Sequence, residues 1–323
     1  MANLNSKIGF IGVSKQTSKG TPVTPPTFGH GLRGGSVMTI GLDQPVEELT
    51  ATDRIIPSVF RNGVAMAIPF TTRVYPRVAG LYYYGVMGGV ADAGTSPNYT
   101  HTITPATTLP YLTAFARIDT EYAQVSDARV DELTLTWDGT APPELSGNLM
   151  GATFLYGTSW TATNDESTTN ILPTAGGTFS VDTGAAAATA PVAGGTITMK
   201  NNSQPVLLST AITPNDIWPG QYECECTLKL LPADLTQWRK IITGTSGGTT
   251  VANNPTYGAF DITFTYDANT SLEFAATKVA FTADFPQVSA KGGPVELTIV
   301  GSVVKPSSGA AVTVTAKNSV ATY

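Results

Sequence analysis

The feature that most constrains how this chain can fold is a set of segments that occur twice in the same order. The segment GGSVMTIGLDQPV begins at Gly34, and the similar segment GGTITMKNNSQPV begins 160 residues later at Gly194. Two further pairs of segments match in the same order, residues 65–72 with 223–230 and residues 128–139 with 277–288. Such an ordered repetition predicts two copies of one structural unit. Shared composition is the alternative explanation, because Thr-rich and Gly-rich segments resemble one another by chance.

The repeat divides the chain into five predicted segments. They are an extended N-terminal arm, a first β domain, a flexible linker rich in Gly, Ala and Thr, a second β domain and a C-terminal arm, over residues 1–33, 34–157, 158–193, 194–305 and 306–323. Each domain is expected to run as a strand, a long loop, a strand, a helix, a loop and then three strands. The loops absorb the drift in spacing between the two copies, since loop length is free to vary.

Alternation of apolar and polar residues predicts strands through most of both domains. Examples are VDELTLTWDG, AFDITFTYD, TKVAFTADF and PVELTIVGSVV, which are separated by turn residues. Two segments instead predict helices: residues 76–87 and residues 232–242, where Leu235, Trp238 and Ile242 share one face. The predicted fold is therefore mainly β, as two tandem sandwich or barrel units with one flanking α-helix each.

The low content of charged residues bears on the possible partners. Charged residues make up 13% of the chain, and the net charge is −6. A protein that grips nucleic acid by its phosphates needs a basic surface, so this balance argues against nucleic-acid binding. Low charge is instead typical of surfaces that are buried against other copies. Neither a signal peptide nor a membrane-spanning apolar run is visible, so we expect synthesis in a cytoplasm.

Both cysteines lie in one short segment, ECECTLKL, as Cys224 and Cys226. Residues two apart on a strand point to the same face, so the two thiols face one way while Glu223 and Glu225 face the other. A zinc site needs about four ligands, and a disulfide at this spacing would be strained. We therefore predict buried structural cysteines. The two glutamates are predicted to face a lumen or a boundary between subunits.

Other motifs that could carry chemistry are weak. Gly29, Gly31 and Gly34 match a nucleotide-binding pattern, but a Pro-rich segment precedes them and a strand follows, where a strand and a helix are required. Asp182 and Thr183 resemble an aspartic-protease loop, but that chemistry needs a second carboxylate of the same kind. These segments are predicted to be a flexible junction and a solvated linker.

The two histidines complete the search for catalytic groups. His30 and His101 are the only candidates for a general base of the Ser-His-Asp type, and neither lies near a nucleophile elbow. We therefore predict no catalytic residue, no cofactor and no metal.

Two long loops are the strongest candidates for contact surfaces, because a loop of this length between two strands usually has a function. The loop at residues 43–62 mixes charged and apolar side chains, and so does its counterpart at residues 203–219. The first loop folding back over its own core is the alternative. The candidate contact residues are Glu47, Glu48, Asp53, Arg54, Ile55, Phe60, Arg61, Asp216, Ile217 and Trp218.

Several segments together resemble the major tail tube proteins of long-tailed, siphovirus-type bacteriophages. They are IGVSKQTSKGTPVTPPTF, YTHTITPATTLPYLTAFARI with VDELTLTWDGTAPPELSGNLMGATF, GGTITMKNNSQPV and PADLTQWRKIITG. The likeness spans nearly the whole chain and rests on the order of the motifs. It departs from the family pattern at Gln16, where an acidic residue is common, and the linker and C-terminal segment match little.

The resemblance implies a structural virion protein that assembles into rings around a lumen. Rings would stack through the long loop and the terminal arms, and other tail proteins, such as tape measure and tail-end proteins, would be partners. DNA would pass through without specific binding when the genome is delivered. Two units in one chain favour a trimer with pseudo-sixfold symmetry, while one unit would favour a hexamer. The location implied is the virion tail, after assembly in the host cytoplasm.

Two other function classes remain as alternatives. A virion decoration protein or adhesin-like β-sandwich would be expected to have a signal peptide or an anchor. An enzyme with an aspartic or metal site is the least favoured class, since no complete catalytic set is found. We expect no enzymatic activity.

Overall fold

The structure is a computed structural model. It describes residues 9–33, 39–40, 44–45, 59–60, 64, 66–166, 171–183, 191–209, 211–286 and 293–323. Among these residues the chain forms many strands and two short helices.

The first half contributes one helix and the strands that surround it. These elements are β1 (Gly9–Lys15), β2 (Phe28–Gly31), β3 (Thr39–Ile40), β4 (Gln44–Pro45), β5 (Val59–Phe60), β6 (Met66–Arg73), α1 (Pro76–Met87), β7 (Gly88–Thr95), β8 (Asn98–Pro105), β9 (Leu112–Ile118), β10 (Glu121–Asp138), β11 (Glu144–Gly151) and β12 (Thr153–Tyr156).

The second half begins with two strands from the predicted linker. Its elements are β13 (Asn164–Asp165), β14 (Thr178–Asp182), β15 (Val192–Lys200), β16 (Gln204–Val206), β17 (Asp216–Trp218), β18 (Glu223–Leu230), α2 (Thr236–Thr243), β19 (Tyr257–Asp267), β20 (Thr270–Ala283), β21 (Leu297–Val303) and β22 (Val312–Asn318).

One antiparallel sheet runs through both halves, and we call it the long sheet. Its order is β3–β6–β11–β10–β15–β18–β21–β20. The first four strands come from the first half and the last four from the second, and the pairing of β10 with β15 joins them. The order of pairing within the two sets of four is the same.

The early parts of β10 and β20 extend beyond the long sheet and carry the other strands. On β10 these are β9 and β12, and on β20 they are β19 and β22. β8 connects the two halves a second time, because it pairs with β22. Most of the buried apolar residues of both halves form a single cluster. The predicted mainly β fold is confirmed, while the division into two tandem units remains a prediction.

Helix α1 begins and ends where the sequence predicts. Pro76 lies in its first turn and Gly88, at a φ of 90°, ends it in the left-handed conformation that favours glycine. Its internal glycines permit close packing: a Cβ at Gly80 would lie 2.3 Å from the Tyr323 hydroxyl, and one at Gly85 would lie 2.7 Å from Val130. The glycines that weaken the helix in isolation therefore let it sit inside the core.

Helix α2 is shorter than predicted, since it begins at Thr236 and ends at Thr243. The reason is local: the Asp234 carboxylate accepts a hydrogen bond from the Thr236 backbone N–H at 2.8 Å, which holds residues before Thr236 in a turn. Gly244, at a φ of 78°, ends the helix.

The described parts of the predicted arms and linker differ from the expectation, because they contribute to the core. β1 pairs with β2 and β9, and its Ile11 and Val13 are fully buried. β22 pairs with β20, and Val314 is fully buried. In the linker, Leu172 is also fully buried. Short apolar runs between Gly and Pro residues are enough for pairing on an existing sheet, which composition does not reveal.

A buried ion pair also fixes the predicted linker. Glu166 is fully buried and forms an ion pair with Arg77 of α1, and it accepts a hydrogen bond from the Val78 backbone N–H at 3.3 Å. Burial raises the pKa of the Glu166 carboxyl, against the lowering effect of Arg77. This contact ties the linker to the start of the first helix.

Candidate functional site

The long sheet has one buried face and one polar face, because its strands alternate strictly. On β6 and β18 every second residue is buried, and the intervening residues are partly or fully exposed. The registers bring the exposed residues of neighbouring strands side by side. We call this exposed side the polar face. Its hydroxyl-bearing residues are Thr71, Thr134, Thr136, Ser146, Thr196, Thr198, Thr227, Thr282, Thr298 and Ser302.

The charges on the polar face are few, with a small excess of negative ones. The acidic side chains on its strands are Glu132, Asp138, Glu144, Glu223 and Glu225, and the basic ones are Arg73, Lys200, Lys229 and Lys278. Lys200 lies 3.7 Å from Glu132. The hydroxyls of Thr134 and Thr198 are 3.1 Å apart across β10 and β15. This surface offers hydroxyl groups and a small excess of negative charge, with no basic patch that would hold phosphates.

Glu223 and Glu225 lie on this polar face. Both are exposed on β18, where Glu223 pairs with Lys200 and Glu225 pairs with Thr198 of β15. On the other side of the same strand, Cys224 and Cys226 are buried and free.

The environment of the two thiols makes them unreactive. Burial raises the pKa of the Cys224 thiol to about 12, with a lowering contribution from Tyr222, and burial also raises the pKa of Cys226. A thiol must lose its proton to attack an electrophile or bind a metal. Both groups therefore act as small apolar side chains in the packing of β18.

A two-stranded ribbon, made of β16 and β17, stands apart from the long sheet. Asp216 anchors its loop end: the Tyr111 hydroxyl donates a hydrogen bond to the Asp216 carboxylate at 3.0 Å, and Lys19 lies 3.3 Å from that carboxylate. Ile217 is buried, whereas Trp218 is 67% exposed. The ribbon therefore has an anchored loop end and an apolar residue that is available for contact.

Further apolar side chains lie on the same ribbon segment. Leu207, Leu208 and Ile212 are each about half exposed. Exposed apolar residues that cluster in this way mark contact surfaces. The sequence prediction named only Ile217 and Trp218 as anchors here, although the run VLLSTAI already indicates the cluster.

The candidate residues of the first loop lie outside the described residues, except for part of one strand. These residues are Glu47, Glu48, Asp53, Arg54, Ile55 and Arg61, and of Phe60 only the backbone, in β5, is described. β4 and β5 pair with each other, as β16 and β17 do in the second half. Their predicted role in contact stays a prediction.

The weak motifs fall in structural positions. His30 is fully buried in β2; its Nδ1 donates a hydrogen bond to the Gly31 carbonyl, and its Nε2 accepts one from the Tyr82 hydroxyl at 2.7 Å. Burial lowers the pKa of His30 to about 4. Asp182 lies in β14, and the buried Thr183 hydroxyl bonds to Gln237 of α2. Each motif thus contributes to packing.

Comparison with protein-family models gives one decisive result, since the model of the phage tail tube protein family matches residues 6–316. The chain belongs to the phage tail tube protein family. No curated protein sequence matches it. The long sheet, its polar face and the separate ribbon are therefore features of a structural tail tube protein, which is a component of the phage tail.

The described part of this tail tube protein holds no cluster of three or more metal-binding side chains. In the same residues, neither helix has the length and apolar character needed to cross a bilayer.

A groove in the tail tube protein was not anticipated from the sequence. It has a volume of about 750 Å³ and lies between α2 and the end of β20, where it is lined by Ile241, Ile242, Val251, Phe281, Phe285 and Val300. Phe285 is 62% exposed and Val251 is 75% exposed. Much of the rest of its lining is polar or charged and includes Asp284 and Glu296. The two exposed apolar side chains make the groove a candidate contact surface.

Proposed function

We propose that this protein assembles into rings that stack to form the tube of a siphovirus-type phage tail, through which the genome is delivered. Family membership over nearly the whole chain is the observation that carries this proposal. The long sheet supports it, because a sheet with one buried face and one polar face can line a bore when copies join edge to edge.

The polar face is proposed to line the bore. Glu223 and Glu225 would then face the lumen, with the threonines and the other acidic side chains beside them. A bore with a small excess of negative charge repels the phosphates of DNA, and its few basic side chains are interspersed with acidic ones and form no patch that would hold them. DNA would pass without specific binding, and the role requires no catalysis.

The ring is proposed to contain three chains, each of which supplies two copies of the unit, residues 34–157 and 194–305. The support is the common order of pairing in the two sets of four strands, together with the matched segments in the sequence. A ring of six chains is the outcome expected if the chain holds one unit.

Stacking of rings is proposed to use the two ribbon segments, residues 43–62 and 203–219. The exposed Trp218 and the half-exposed Leu207 and Leu208 support this role for the second segment. Tape measure and tail-end proteins would contact the ends of the stack. Assembly would take place in the host cytoplasm.

Electron microscopy of the purified protein tests the proposal directly. Negative staining should show long hollow tubes, and averaged end views should show three chains in each ring. Six chains would contradict the two-unit proposal but keep the tube. Compact single particles at all concentrations would contradict the tube itself and favour a decoration or adhesin-like role.

A further inference from the structure

The two long strands of the chain differ in how completely their edges are paired. β10 has partners on both edges along nearly its whole length. β9 and then β15 follow one edge, while β12 and β11 follow the other. Within the long sheet, β10 is therefore paired on both edges as far as Thr136 and on the β15 edge as far as Asp138.

β20 follows the same plan but lacks one partner. β22 and β21 follow one edge, and β19 pairs along the other edge only as far as Ala280. From Phe281 to Ala283 the β21 side remains paired, while the opposite edge has no strand partner among the described residues. This unpaired edge is the place on β20 that corresponds to the position of β15 on β10.

A landmark in both strands supports this correspondence. Leu133 of β10 lies opposite Gly147 of β11, and Phe281 of β20 lies opposite Gly301 of β21. Four residues beyond Leu133, Trp137 is almost fully buried, with its ring against Phe264. Four residues beyond Phe281 comes Phe285, which is 62% exposed. The aromatic side chain that β15 helps to cover on β10 is thus uncovered on β20.

The other end of the long sheet also has an unpaired edge. β3 pairs with β6 on one side, and its second side has no partner within the described residues. The segment that contains β3, GGSVMTIGLDQPV, is the one that resembles GGTITMKNNSQPV, and the latter contains β15. The strand that β20 lacks and the strand with a free edge are therefore related in sequence.

We propose that β3 of a second copy of this chain pairs antiparallel with the Phe281–Ala283 edge of β20 and covers the groove beside α2. This inference rests on the proposed ring and adds to it the two strands that meet. Strand directions alternate along the long sheet. β3 of the next copy would therefore run antiparallel to β20, as β15 runs antiparallel to β10.

Three physical arguments favour this occupant. An open strand edge is a template for pairing with another chain. A strand that covers the groove next to this edge removes the exposed Phe285 and Val251 from water. The two free edges lie at opposite ends of one sheet, so their contact is head to tail, which is the kind of contact that a ring requires.

Engineered disulfides test the contact in assembled tubes. Thr39→Cys is combined with Thr282→Cys or with Asp284→Cys. The two positions on the β20 side test two registers of the proposed pairing between β3 of one copy and β20 of the next. We expect at least one combination to give more than half of the chains as covalent oligomers after mild oxidation. The matched control combines Thr39→Cys with Ser302→Cys, which lies on the same face but one strand away from the edge.

The outcomes separate this inference from the proposed function. Tubes in which neither combination cross-links more than the control would overturn the pairing of β3 with β20 while leaving the tube in place. Failure of the wild-type protein to form rings would overturn the proposed function instead.

Hydrogen exchange on the wild-type protein covers the case in which the double variants do not assemble. Amides of residues 281–285 should exchange at least ten times more slowly in tubes than in unassembled protein, while those of the 267–270 turn should change little. Unchanged exchange at residues 281–285 would also overturn the inference.

Discussion

The two halves of the molecule use the same order of strand pairing, but they differ in how fully they are enclosed. In α1, eleven of twelve residues are buried, because strands from both halves surround it. In α2, only three of eight residues are buried. β10 is paired on both edges, and β20 is not. A single chain therefore encloses α1 and most of β10, and it leaves α2 and the end of β20 more exposed.

The largest expected effect comes from removing the centre of the enclosed half. Tyr82 is fully buried, stacks on Phe70 with ring centroids 4.5 Å apart and bonds to His30. Tyr82→Ala should lower the free energy of unfolding by about 3–5 kcal/mol, the usual cost of a large aromatic cavity. Chemical denaturation of unassembled protein measures it.

The matched variant in the open half is Trp238→Ala. Trp238 is partly buried on α2, where its ring meets Phe285 at 5.0 Å. Its loss should cost the unassembled chain about 1–2 kcal/mol, because less area leaves water on folding. Equal losses for Tyr82→Ala and Trp238→Ala would show that the two halves are equally enclosed and would break the comparison.

The second prediction concerns pH and the buried histidine of the first half. Burial lowers the pKa of His30 from 6.5 to about 4, so the folded protein keeps this group neutral where the unfolded chain takes up a proton. The neutral His30 therefore contributes fully to the unfolding free energy above pH 6.5. This contribution is lost as the pH falls toward 4, and the whole loss is about 3 kcal/mol.

Denaturation of the wild type and of His30→Gln between pH 4 and pH 7 measures this contribution. The difference in unfolding free energy between the two proteins should shrink toward low pH. A constant difference across this range would mean that His30 takes up a proton as readily in the folded protein as in the unfolded chain, and that the first half is less well enclosed than its burial indicates.

The third prediction concerns the thiols of the second half and has the opposite sign. Burial raises the pKa of Cys224 and of Cys226 above their usual value of 9, so the unfolded chain loses these protons first. Their contribution to stability is complete below pH 9 and declines as the pH rises toward 12. Between pH 8 and pH 10 the loss should be about 3 kcal/mol for the pair.

A double variant, Cys224→Ala with Cys226→Ala, is the control for the alkaline loss, since it should remove this part of the slope. Labelling with a thiol reagent adds a direct measure: both groups should react only after unfolding. Rapid labelling of the native protein would show that the buried core around Cys224 and Cys226 becomes accessible to the reagent without global unfolding.

Local patterns predict the elements of this fold well, because they depend on neighbouring residues. Alternation placed Cys224 and Glu225 on opposite faces of β18, and the proline and glycine around residues 76–88 bound α1. Composition was a poor guide to the segments called arms and linker. Ile11 and Leu172 are buried there because the rest of the fold supplies a surface to pack on, which their own sequence does not specify.

One candidate contact surface could be predicted from neighbouring residues, and the other depends on the whole sheet. The exposed Trp218 follows from its position on a ribbon after the buried Ile217, so its sequence context indicates it. The groove at Phe285 does not follow in that way, because it depends on where β19 stops pairing along β20. Whether a strand edge is left unpaired depends on the arrangement of the whole sheet. The unpaired edge of β20 is recognised only when β20 is compared with β10.

The smallest effect on stability is expected at the ribbon of the second half, from Trp218→Ala. This side chain is already 67% exposed, so the unfolding free energy of the single chain should change by no more than about 0.5 kcal/mol. Its neighbour Ile217 is buried, and Ile217→Ala should cost about 2–4 kcal/mol as the matched control.

The effect on tube assembly should rank these two ribbon variants in the opposite order from the effect on stability. Under the proposed stacking, Trp218→Ala should leave rings intact and shorten or abolish tubes, because the ring-to-ring contact loses its most exposed aromatic anchor. Microscopy of rings and tubes, beside denaturation of the same samples, gives both readouts. Tubes of normal length from Trp218→Ala would show that this side chain is not needed for stacking. They would leave the half-exposed Leu207 and Leu208 of the same ribbon, residues 43–62 of the first half and the terminal arms as the candidates for that contact.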